Sequence, residues 1–113
     1  MLPAKYRLRR RGDVANVLSK GRTTPAGAVV IHSIPANQPP TQFAFVVSKK
    51  VGNSVVRHRV TRVLRHIVAE QATSFNPPQQ IVVRALSKAS KIPTEVIKAD
   101  FVAAVAKVNA YAN

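Results

Sequence analysis

Apolar residues recur along this chain at two periods, and the switch between them marks the elements. From Ser54 to Gln71, Val56, Val60, Val63, Leu64 and Ile67 fall at i, i+4, i+7, i+8 and i+11 with Val68 at their border, which predicts one amphipathic helix. Gly52-Asn53-Ser54 in front of it supplies turn and cap residues. Val14, Val17 and Leu18 fall at i, i+3 and i+4 and predict a shorter helix, opened by Gly12-Asp13 and closed by Gly21. Asp13 in the first turn suits the helix dipole. A third helix is expected from Thr94 to Ala110, turning Ile97, Phe101, Ala104, Val105 and Val108 to the core. Three shorter runs rich in β-branched and aromatic residues predict strands: Val29 to His32, Gln42 to Ser48 around FAFVV, and Ile81 to Leu86 (IVVRAL). Pro35 to Thr41 (PANQPPT), Asn76-Pro77-Pro78 and KASKIP are expected as loops. The first two strands are expected to pair as a hairpin with a loose connection.

The order helix, strands, helix, strand, helix predicts an α+β sandwich, one sheet with helices packed on it. Length predicts a single domain over 1–113, with residues 1–11 as an extended basic arm in which Lys5, Arg7, Arg9, Arg10 and Arg11 surround Leu8.

Charge changes this ordinary picture. The chain carries Lys+Arg 18 against Asp+Glu 4, a formal net charge of +14. Self-repulsion of that size disfavours a compact state unless a counter-charge is at hand, so a polyanionic partner is expected. No apolar stretch approaches the roughly 20 residues of a spanning helix, which argues against a membrane. The basic start MLPAKYRLRRRGD is followed by neither an apolar signal core nor a Ser-rich transit stretch, and a cytoplasmic chain is expected. Cysteine is absent, which removes disulfides, thiol catalysis and Cys-based zinc sites together.

The cations concentrate between Ser48 and His66. This stretch, SKKVGNSVVRHRVTRVLRH, holds Lys49, Lys50, Arg57, Arg59, Arg62 and Arg65, two histidines and no carboxylate. At roughly 100° per residue, His58, Arg62 and Arg65 point away from the apolar stripe, while Arg57 and Arg59 sit at its borders. A merely solvated face interleaves Glu with Arg at i, i+4, whereas here the first acid is Glu70. Asn or Ser before a helix is by itself an ordinary cap. With Lys49 and Lys50 on one side and Arg57 and Arg59 on the other, the free N–H groups of this junction become a phosphate site. It is neither a Walker loop nor a dinucleotide fingerprint. Structured RNA fits such a helix through its backbone and shape, and charge alone also suits DNA.

A protein-borne active site is not expected. His58 and His66 lie too far apart on one helix to share a metal ion with each other, and His32 lies on another element. Metal-dependent phosphodiester cleavage needs gathered carboxylates, and Asp13, Glu70, Glu95 and Asp100 are scattered over separate elements. Any hydrolysis in a complex would be supplied by another component. A ribosomal or other structural RNA-binding protein is the alternative that charge, size and element pattern equally suit.

SKKVGNSVVRHRVTRVLRH resembles the signature of the protein subunit of bacterial ribonuclease P: paired lysines, Gly-Asn, Arg-Asn-Arg and further arginines on one helix. RLRRRGDVANVLSKG (Arg7 to Gly21) resembles that family's first helix and basic lead-in, and IVVRAL with the last helix fits its later elements. The resemblance implies a ribosomal-protein-like domain with a mixed sheet of about four strands and three helices, and a left-handed crossover containing the basic helix. It also implies that a large catalytic RNA subunit, with bound Mg2+, hydrolyses precursor tRNA to release its 5′ leader, with no obligate protein partner. By residue match, Lys49, Lys50, Gly52, Asn53, Arg57, Arg59, Arg62 and Arg65 bind the catalytic RNA. His58 joins them where the family usually has Asn. A leader-binding cleft between the sheet and the first helix is implied at Val14, Leu18, Val29 and His32. The family commonly presents aromatic rings there, so stacking on leader bases is expected to be weaker by roughly 1 to 3 kcal/mol per lost ring. Phe43 and Phe45, on one strand face, are expected in the core.

Overall fold

A computed structural model describes residues 2–112. Three helices, α1 (Arg11–Lys20), α2 (Ser54–Gln71) and α3 (Thr94–Ala112), accompany four strands, β1 (Arg22–Ala26), β2 (Val29–Pro35), β3 (Gln42–Val46) and β4 (Gln79–Ala85). The sheet order is β1-β2-β4-β3. β1 with β2 and β2 with β4 are antiparallel, whereas β3 and β4 are parallel and are joined through α2.

The expected pairing of the Val29 and Gln42 strands does not occur, because β4 lies between them. Its residues Ile81, Val82 and Val83 are all 0% exposed, so β4 needs cover on both faces and neighbours on both edges. The true hairpin joins β1 to β2 across Gly27-Ala28. Gly27 has φ 68, and a Cβ there would run into the Asp100 carboxylate, so glycine meets both the turn and the close approach of α3. β1 itself was not expected: Arg-Thr-Thr-Pro-Ala has little of a strand's hydrophobic pattern, and its Pro25 is tolerated because β1 is an edge. KASKIP also differs, forming a 3₁₀ turn over Ser87–Lys91.

Helices cover the two sheet faces unequally. On one, Val29, Ile31, Phe43, Ile81 and Val83 pack against Val60, Leu64 and Ile67 of α2 and Ile97, Phe101 and Val105 of α3. Phe75 stands edge-on to Phe43 at 5.3 Å and to Phe101 at 6.3 Å, linking β3 to α3. The opposite face carries only α1, whose Val17 meets Val82 and Leu8, with Val14, Ile34, Ala44 and Val46 half-buried around them.

The arm is docked on this frame. After a 3₁₀ turn at Ala4–Tyr6, Arg7 bridges Phe43 in parallel and Leu8 N–H donates to the Phe43 carbonyl at 2.8 Å. Leu2 joins the larger core and Leu8 the smaller one, so the arm straddles the edge of β3 and is held from both layers.

Candidate RNA-binding surfaces

The turn into α2 is built by two residues. A Cβ on Gly52 would stand 2.7 Å from Val56 Cγ1, so only glycine lets the chain close onto the helix here. Asn53 Oδ1 accepts a hydrogen bond from the Val56 N–H at 3.0 Å, the N-cap that fixes where α2 begins. Asn53 therefore acts on the turn through its side-chain oxygen, and the helix start presents its remaining N–H groups beside exposed Lys49 and Lys50.

Along α2 the predicted stripe is the one that is buried: Val60, Leu64, Ile67 and Val68 are in the core, with Val56 and Val63 half-buried. His58, Arg59, Arg62 and Arg65 are exposed. Arg57 is half-buried, and its Nε is enclosed without a hydrogen-bond partner among the described residues. Arg59 reaches from the other border to the Ser90 carbonyl at 3.4 Å. Among the described residues Lys98 forms an ion pair with Glu70 at 3.3 Å, and His66 Nε2 lies 4.0 Å from a Glu70 oxygen. Neither neutralises any of Lys49, Lys50, Arg57, Arg59, Arg62 or Arg65, so the positive field of this face stands uncompensated.

The second surface is the sheet face under α1. Val82 packs on Val17 and is paired across the sheet with His32 and Ala44; because side chains alternate along a strand, Val30, Ile34, Arg84 and Val46 share this face. Val14 lies half-buried and Leu18 is 39% exposed on α1 above it. Val29 does not belong here. It is 0% exposed and points into the α2–α3 core, so of the four implied positions only Val14, Leu18 and His32 lie on this side of the sheet, with Val30 as the β2 neighbour on that face. Phe43 and Phe45 lie on the core face, Phe43 buried and Phe45 half-buried.

His32 is only 7% exposed and is held from both sides. Arg84 Nε donates to His32 Nε2 at 3.3 Å, and Thr23 Oγ1 lies 3.4 Å from His32 Nδ1. A guanidinium can only donate, so Nε2 is the bare nitrogen and Nδ1 carries the proton, facing Thr23. Burial first, and the Arg84 charge second, hold the His32 pKa below its ordinary 6.5. His32 thus serves as a neutral acceptor that fixes Arg84. Arg84 itself went unnoticed in the sequence, though its signal is there: in IVVRAL it is the one cation, and alternation puts it on the face of Val82.

No three His, Cys, Asp or Glu side chains gather into a metal-binding set among the described residues. No helix among the described residues is long and apolar enough to cross a membrane.

The chain matches the family model for Ribonuclease P over residues 2–109. The Ribonuclease P protein component of Acidothermus cellulolyticus is 40% identical over 103 residues, covering 89% of this chain and 86% of that one. That of Streptomyces bikiniensis is 38% identical over 117 residues, covering 96% and 95%. Among solved structures, the RNase P protein of Staphylococcus aureus superposes with TM-score 0.79 at 24% identity, covering 91% of this chain and 96% of that one. The Thermotoga maritima RNase P protein gives 0.80 at 19% identity, covering 89% and 96%. The two superpositions bear on the fold, a mixed four-stranded sheet with three helices, and the family match together with the sequence relatives decides the kinship. This chain belongs to the ribonuclease P protein family.

Proposed function

We propose that this chain is the protein component of a cytoplasmic ribonuclease P, a single RNA-binding domain that assists RNA-catalysed removal of the 5′ leader from precursor tRNA. The observation that carries this is the unpaired cation face of α2, rooted in a capped turn with Lys49 and Lys50 at its mouth. Lys49, Lys50, Arg57, Arg59, Arg62 and Arg65 neutralise phosphates of the catalytic RNA, with His58 as a further hydrogen-bonding contact. Gly52 and Asn53 set the angle at which the helix meets it.

The α1 face of the sheet takes the leader. Val14 and Leu18 offer apolar surface in place of rings, and Arg84, steadied by His32, supplies a fixed cation for a passing phosphate. The chemistry of hydrolysis would be supplied by Mg2+ held by the RNA. The protein's part is to position the leader and to screen RNA charge, which lowers the Mg2+ concentration the complex requires.

The deciding experiment is leader release from a precursor tRNA at low Mg2+ with the cognate large RNA, in the presence and absence of this protein. Cleavage that appears only when both are combined is expected. A protein that neither binds that RNA nor stimulates it would instead be a structural RNA-binding protein.

A further inference from the structure

The docked arm and α2 enclose a groove that belongs neither to the capping turn nor to the α1 face. It measures about 330 Å³; Arg7 and Arg9 reach it from the arm and Arg65 from α2, over a floor that includes Phe45. Arg7 is preset, because its Nε donates to the Leu2 carbonyl at 3.0 Å while Leu2 is anchored in the core. Arg9 and Arg65 are exposed, and no carboxylate lines the groove. Phe45 is half-buried, its neighbour on the same face, Phe43, being wholly in the core. The arm bridges β3 only at Phe43, which leaves the strand edge beyond it facing this groove.

Two chemistries meet here. Three guanidiniums want a phosphate, and a partly exposed ring on an apolar floor wants a flat, unsaturated group. A free phosphate has no use for the floor, and a duplex keeps its bases stacked within itself. A nucleotide out of its helix satisfies both.

We propose that this groove holds an unpaired nucleotide of the partner RNA, its base against Phe45 and its phosphate among Arg7, Arg9 and Arg65. The proposal rests on the RNA-binding function above and adds a contact that the Ser48 to His66 signature does not contain, since the arm supplies half of it. Docking through Leu2 and Leu8 means that little order is lost when the nucleotide enters.

The chain has no tryptophan, so Phe45→Trp places a single fluorescent reporter on the groove floor. The full-length variant, checked for folding by circular dichroism, is titrated with a short oligouridylate and with a blunt RNA duplex at matched salt. Quenching by the single strand alone is expected, its midpoint rising about fivefold or more on adding Arg9→Ala. Equal quenching by the duplex, or none by either, overturns the proposal. Phe45→Leu, which keeps an apolar side chain without the ring, gives an independent reading: single-strand affinity measured by anisotropy is expected to fall about fivefold with duplex affinity unchanged. An unaltered single-strand affinity overturns it as well. A protein that stimulates leader release yet shows no single-strand quenching retains its place in ribonuclease P and loses the nucleotide groove, whereas failure of both assays removes the ribonuclease P reading and the groove together.

Discussion

His32 shows how one residue's role depends on its neighbours. At the sequence level it stands where a stacking ring would be useful, but in the fold it is nearly closed off, accepting from Arg84 and facing Thr23. Protonation would take the lone pair that Arg84 uses and set two positive charges side by side. Because its pKa is lowered in the folded state, the unfolded chain binds the proton more readily, and stability must fall as the proton goes on. The contribution of neutral His32 is fully present above pH 6.5 and is lost as the pH drops through the folded-state value below it. Urea unfolding from about pH 7.5 down to about 5 is expected to show wild-type stability declining more steeply than that of His32→Gln. Both proteins keep His58 and His66, so the difference isolates His32, and parallel curves would deny it the role.

At the scale of elements, α2 does two jobs with one period. The residues at i, i+4, i+8 and i+11 from Val56 reach the core, and the positions left over hold the arginines. Fold and the proposed RNA contact are therefore expected to separate on mutation. Arg57→Ala with Arg59→Ala is expected to weaken binding to the catalytic RNA and to flatten its salt dependence by roughly 0.9 in log-log slope per lost phosphate contact. Binding measured across a salt series checks this, and an unchanged slope would mean that neither side chain neutralises phosphate. Exposed Arg59 makes the cleaner single change, because truncating Arg57 also alters packing at the half-buried border. α2 was legible in the sequence from Ser54 to Gln71 because a long stripe, a cap and a cation face all agree. β1 was not, since five residues with two threonines and a proline carry no signal beyond the partner strand that captures them.

The molecule as a whole carries +14 on 113 residues, and among the described residues the one Lys or Arg ion pair is Lys98 with Glu70. Anions that bind the folded surface should stabilise it by mass action. The melting temperature is expected to rise with the logarithm of pyrophosphate concentration above Kd, the stabilisation reaching about 2.7 kcal/mol at a hundredfold excess over Kd for one site. A rise merely linear in concentration would indicate only general solvent effects. The extended basic arm is part of this surface too, because Leu2 and Leu8 tie it to both layers. The amino-acid sequence by itself determined the helices and the concentration of cations between Ser48 and His66, because each depends on spacing within one segment or on composition. Only the tertiary structure decided that β4 separates β2 from β3, that Val29 faces the core and that Arg84 meets His32. From Val29 to Ser33 every residue of β2 is buried, so no alternation of polar and apolar positions records which face each one takes. Which strand pairs with which is a contest among distant segments for edges and cover, and that contest leaves no mark in local periodicity.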